Sequence, residues 1–117
     1  MEIAINHQEE VYFNLTHEAI LRYAEIKGLD LYWERNEELA FYRYFTSPDK
    51  DFNNSFCIFN IRRNDTALIQ AIKELGDKAS IWKDSIKIID VPDGIDWEIH
   101  TLANGRECVV EKHSIWY

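Results

Sequence analysis

The dipeptide Asn104-Gly105 constrains this chain more than any other feature. It stands between two segments of alternating apolar and polar residues, 97–103 and 106–113. Asn-Gly in that setting is the strongest short-range signal of a β-hairpin, because both central residues of a type I′ turn need positive φ. A two-residue turn also fixes register. It predicts Ala103 facing Arg106, Thr101 facing Cys108, Ile99 facing Val110 and Trp97 facing Lys112 on a largely apolar, core-facing side. The other side then carries Leu102 opposite Glu107, His100 opposite Val109, Glu98 opposite Glu111 and Asp96 opposite His113. Two glutamates directly opposite each other repel, so that register calls for a compensating cation, a shared proton or open solvent.

The rest of the chain alternates between strand and helix signals. Glu2–Asn6 reads as a first strand, and Val11–Phe13 as either a second short strand or a loop that packs its aromatics. Thr16 is an N-cap for a helix running to about Lys27, with Ile20, Tyr23, Ala24 and Lys27 on one stripe and Gly28 as its stop. Leu29–Trp33, Leu39–Phe45 and Ser55–Ile61 read as strands, the middle one dense in aromatics. A second helix starts at Asn64 or Asp65, carries Leu68, Ala71, Ile72 and Leu75 inward, and ends at Gly76. Ser85–Val91 is a strong strand, closed by the turn Pro92-Asp93-Gly94. The expected fold is α+β in a single domain, 1–117: a mainly antiparallel sheet with two helices on one face and a C-terminal β-hairpin.

Charge narrows the function classes. A net charge of −8 repels duplex phosphates, which argues against nucleic acid as a partner. No stretch is long and apolar enough for a membrane span, and no signal-peptide pattern is present, so no membrane partner is expected. Cys57 and Cys108 lack metal-ligand spacing and read as reduced thiols in strands. No Walker, dinucleotide or zinc-finger motif occurs, and no cofactor is called for.

Three groups of residues could carry chemistry. The first is the polar hairpin face, where Asp96, Glu98, His100, Glu111 and His113 offer ligands for zinc, manganese or iron, or a general acid–base pair. Its plain alternative is a solvated outer face. The second is Arg62-Arg63 before the second helix, where a helix N-terminus and two guanidiniums suit phosphate while Tyr42, Tyr44 or Trp97 stacks a base. Its plain alternative is that Arg63 pairs with Asp65 or with the Glu98/Glu111 pair. The third is the acidic surface of Glu9-Glu10, Glu37-Glu38 and Asp49-Lys50-Asp51, which suits a basic host protein or simply solubility.

The second half of the chain resembles a family of small proteins encoded by bacteriophages and prophages. The resemblance spans roughly residues 63–116 and rests on Arg63-Asn64-Asp65, Leu68-Ile69, Glu74-Leu75-Gly76, Ile86–Asp93, Trp97-Glu98-Ile99, Gly105, Val110–His113 and Trp116. The family's glycine-rich loop after the first strand is replaced here by His7–Phe13, and an acidic residue common in the family is His100. The resemblance implies a phage protein in the host cytoplasm and brings no catalytic activity with it. Together these readings give an expected anti-defence protein that acts by binding. Its partner is a nucleotide-like ligand held by Arg62, Arg63, Tyr42, Tyr44 and Trp97, or a host defence protein. The aromatic strands make a homodimer plausible. A small metal-dependent hydrolase using Glu98, His100, Glu111 and His113 is the alternative from another class.

Overall fold

The computed structural model describes residues 1–38 and 41–111, and the backbone of 115–116. The fold is α+β, with strands pairing antiparallel throughout. The pairing is divided among three small sheets. Strand β1 (Glu2–Asn6) pairs with β5 (Ile86–Asp90). Strands β2 (Tyr32–Asn36), β3 (Phe41–Phe45) and β4 (Ser55–Phe56) form the second sheet, and β6 (Glu98–Thr101), β7 (Glu107–Val110) and β8 (Ile115–Trp116) the third.

Both helices start and stop where capping chemistry dictates. Helix α1 (His17–Lys27) begins at Thr16, whose hydroxyl accepts from the Ala19 N–H, and ends at Gly28 with φ +74°. Helix α2 (Thr66–Leu75) begins at Asp65, whose carboxylate accepts from the Ala67 N–H. The two helices pack on each other and, with Phe13, Tyr44 and Ala4, enclose the larger core. A second core holds Ile3, Ile5, Ile89, Val91 and Val109. β1 therefore divides the molecule, sending Ala4 to one core and Ile3 and Ile5 to the other.

The free edge of β1 would expose unpaired backbone groups, and the protein covers it without another strand. The Ala4 N–H donates to the Arg63 carbonyl at 2.9 Å, and the Asn6 N–H donates to Glu107 Oε1 at 2.7 Å. Arg63 Nη1 donates back to the Ala4 carbonyl. Side chain and loop stand in for a strand partner, satisfying groups that would otherwise be costly to bury.

Some sequence expectations shift. Leu29–Trp33 moves along the chain to Tyr32–Asn36. The strand expected over Ser55–Ile61 stops at Phe56; a 3-10 turn at Ile58–Asn60 follows, and Cys57 between them is exposed rather than in a strand, whereas Cys108 is buried in β7. Val11–Phe13 is a loop, with Phe13 buried and Tyr12 edge-on to Trp82.

The hairpin itself forms in a different register. Leu102 donates its N–H to the Arg106 carbonyl, and its carbonyl accepts from the Gly105 N–H. Only Gly105 has positive φ, +93°, so the loop is a type I turn closed by a glycine bulge rather than a two-residue type I′ turn. The pairs become Glu98 with Val110, Ile99 with Val109, His100 with Cys108 and Thr101 with Glu107. Glycine is needed at 105 for a second reason: a Cβ there would meet the Val11 carbonyl at 2.8 Å. The turn is clamped to the loop after β1 by Glu10 N–H on the Asn104 carbonyl and by Asn6 Nδ2 on the Gly105 carbonyl. The expected pairings of Asp96 with His113 and Trp97 with Lys112 lie outside the described residues.

Candidate functional site

The one-residue slip removes the like-charge puzzle. Glu98 faces Val110, not Glu111, so no glutamate pair needs neutralising. Glu107 turns inward instead, and Arg63 meets it. Arg63 Nη1 and Nη2 reach the two carboxylate oxygens at 2.7 and 3.0 Å, a bidentate pair. The guanidinium also lies over the Phe13 ring, its carbon 3.7 Å from the centroid. Arg63 thus joins a hairpin carboxylate, as one plain alternative held, but the partner is Glu107 rather than Glu98, Glu111 or Asp65. Its donors are directed at Glu107 and Ala4, inside the molecule.

The N-terminus of α2 is also taken. Asp65 accepts from the Ala67 N–H, from the Tyr23 hydroxyl at 3.0 Å and from Lys27 Nζ at 2.9 Å. Burial alone would raise the Asp65 pKa, but the Lys27 ammonium, the Tyr23 hydroxyl and the Ala67 N–H outweigh it and hold the group below the usual carboxylate range. A phosphate at this helix end would meet a carboxylate. Arg62 is exposed, and Trp97 packs half-buried against the second core. These residues are not gathered with Tyr42 and Tyr44 into one site.

Tyr42 and Tyr44 have other neighbours. In the β2–β3 pair Trp33 lies opposite Tyr44 and Arg35 opposite Tyr42, so all four side chains share one face. His17, the first residue of α1, lies against that face. Its ring stacks on Tyr42 at 3.8 Å and 8°, and meets Trp33 edge-on at 4.6 Å. Trp33 and Tyr42 are themselves edge-to-face at 5.5 Å, and the Arg35 guanidinium carbon stands 5.9 Å from the Tyr42 centroid. His17 Nδ1 and the Tyr44 hydroxyl are 2.7 Å apart. Burial lowers the His17 pKa, keeping the imidazole neutral. Burial, with Tyr42 beside it, pushes the Tyr44 phenol up to about 12, so the hydroxyl stays protonated beside that nitrogen.

The result is an aromatic shelf with a guanidinium on it. Sequence reasoning found Tyr42 and Tyr44 and missed His17, Trp33 and Arg35. Their signal was the alternation Trp33-x-Arg35 set against Tyr42-x-Tyr44.

Behind the His17–Tyr42 wall opens a cleft of about 470 Å³, floored by Leu15, Ile20 and Phe56 and rimmed by Tyr12, Phe41, Phe59 and Ile81. A larger groove of about 940 Å³ separates α2 from the β1–β5 pair. Its charges are already paired: the Met1 amine with Asp90 and Asp93, Lys73 with Glu2, and Glu74 with Arg22. At the hairpin, Asp96, Glu98, His100 and Glu111 line an open hollow, with His100 Nε2 2.6 Å from Glu98 Oε1. Among the described residues no three His, Cys, Asp or Glu side chains are placed to hold a metal ion, and His113 lies outside them. No helix among the described residues is long and apolar enough to cross a membrane. No protein-family model, curated protein or solved structure matches this chain.

Proposed function

We propose that this chain works by binding, as a phage accessory protein that counteracts a bacterial defence in the host cytoplasm by sequestering a nucleotide-derived signal. The observation that supports this reading is the shelf of Trp33, Tyr42 and His17 with Arg35 beside it. Bases stack on exposed aromatic faces whatever their sequence identity, and a guanidinium suits phosphate. Trp33 keeps 43% of its surface exposed, enough for a base to lie on the indole. Arg35, two residues along the same strand face, reaches for the phosphate. The role first given to Arg63 passes to Arg35, because Arg63 is committed to Glu107. The metal-dependent hydrolase reading loses the Glu98–Glu111 juxtaposition that motivated it.

A second reading, docking on a basic host protein, draws on the loop carboxylates. Glu9, Glu10, Glu37, Glu38, Asp49 and Asp51 are all exposed.

The test is capture and release. The protein is incubated with a panel of cyclic nucleotides and ADP-ribose derivatives, freed of unbound ligand, then heated and its supernatant analysed by mass spectrometry. Intact nucleotide recovered from wild type and lost from Arg35→Ala is the expected result. A chemically altered nucleotide makes the protein an enzyme, and no uptake from any member of the panel rules the sequestration reading out. Pull-down from host lysate tests the docking reading.

A further inference from the structure

His17 has one ring nitrogen engaged and one free. Its Nδ1 lies 2.7 Å from the Tyr44 hydroxyl. Its Nε2 has no hydrogen-bond partner among the described residues. Among those residues Arg106 Nε is the buried side-chain polar atom without a partner, so the unpartnered Nε2 of His17 is open to solvent. The imidazole meets the indole of Trp33 edge-on, 4.6 Å between centroids, so a base lying on that indole comes beside the imidazole.

The engaged nitrogen decides where the ring proton sits. A neutral imidazole has one donor and one acceptor nitrogen. Tyr44 is buried, and His17 Nδ1 is the one hydrogen-bond partner of its hydroxyl among the described residues. With the proton on Nδ1, the phenol oxygen would accept and its own O–H would have no acceptor there, which is costly for a buried hydroxyl. With Nδ1 bare, the phenol donates and both groups are satisfied. The proton then sits on Nε2, because the bond made at one ring nitrogen sets the state of the other. Burial keeps the ring neutral, and the 3.8 Å stack on Tyr42 holds its plane.

We infer that Tyr44 is a positioning residue of the shelf: it locks His17 in the Nε2–H form and so gives the shelf a neutral, fixed N–H donor for the ligand. The ligand half of this rests on the shelf being the nucleotide contact. Arg35 takes the phosphate there, and His17 takes an uncharged acceptor on the base, a carbonyl oxygen or a ring nitrogen. A donor fixed before the ligand arrives loses no rotamer freedom on binding. Tyr44 does this without touching the ligand, since its hydroxyl is spent on Nδ1.

The test begins with 1H–15N correlation NMR of the histidine rings in the ligand-free chain at neutral pH. Wild-type His17 should carry its proton on Nε2 and none on Nδ1, and Tyr44→Phe should show a mixture of the two forms. A wild-type ring protonated on Nδ1, or a ring unchanged by Tyr44→Phe, overturns the inference. The second arm measures affinity for the members of the cyclic-nucleotide and ADP-ribose panel that wild type takes up. Tyr44→Phe and His17→Phe should each weaken binding by about threefold to tenfold, and the double variant no more than the larger single. Unchanged affinity in either folded variant overturns the inference and leaves the shelf standing as the nucleotide contact. No uptake by wild type overturns both. If Tyr44→Phe misfolds, the wild-type ring and the affinity of His17→Phe decide.

Discussion

Removing Arg63 should cost more stability than removing any other single cation of this chain. The Glu107 side chain is 9% exposed and that of Arg63 15%. In Arg63→Met the Glu107 carboxylate loses two charged donors and keeps the hydrogen bond from the Asn6 N–H. An uncompensated buried charge costs about 3–5 kcal/mol. With a urea slope of about 2 kcal/mol per molar, a loss of ~4 kcal/mol moves the unfolding midpoint down by about 2 M. Glu107→Leu should fall in a similar range, since it strands the guanidinium and orphans the Asn6 N–H. The double variant Arg63→Met/Glu107→Leu leaves no buried charge. It orphans the Asn6 N–H and the Ala4 carbonyl, at about 1–3 kcal/mol each. The double variant should therefore be at least about 2 kcal/mol less destabilised than the sum of the singles. Urea melts followed by circular dichroism measure all four corners of this cycle. Additivity within about 0.5 kcal/mol would refute the reasoning, because it would mean the two side chains do not sense each other.

Other outcomes follow from the same geometry. Gly105→Ala should destabilise by more than about 1 kcal/mol in a thermal melt, since φ +93° and the Val11 carbonyl at 2.8 Å both oppose a Cβ. Gly28→Ala, with open space around it, should show only the left-handed backbone penalty. His17 has a folded-state pKa below its unfolded value, so the unfolded chain binds the extra proton. Stability should therefore fall as pH drops below about 6.5, and His17→Phe should flatten that slope in melts taken from neutral to mildly acidic pH. Asp65 also has a lowered pKa, so its stabilisation is present above the unfolded carboxylate pKa and is lost as pH falls through the folded value. Asp65→Ala should cost about 1–2 kcal/mol at neutral pH from the lost cap and reduce the acid sensitivity.

Much of the fold was legible because local signals agreed with tertiary ones. Thr16, Gly28, Asp65 and Gly76 bound their helices by capping chemistry that depends on neighbours in sequence alone. The hairpin was legible as a hairpin, but its register was not. Asn-Gly is compatible with a type I′ turn and with a type I turn plus a glycine bulge. The choice here goes with contacts from the other end of the chain, where Glu10, Val11 and Asn6 grip the turn. That single choice moves Glu107 to the inner side and explains why Arg63 was assigned a ligand role it does not have room to fill. The shelf was half legible for a similar reason. Aromatic density pointed to Tyr42 and Tyr44, whereas the contribution of His17 depends on how α1 lies on the β2–β3 pair, which no local pattern encodes.

The proposed contact for a nucleotide is the shelf and not the N-terminus of helix α2, where Asp65 already stands. Chemical-shift mapping of the 15N-labelled chain against the same nucleotide panel tests it most directly. The expected result is that at least one nucleotide shifts the Trp33 indole and the amides of Arg35, Tyr42 and His17 together. Shifts centred on Arg62, Arg63 and Asp65, or no shift with any nucleotide, would contradict it.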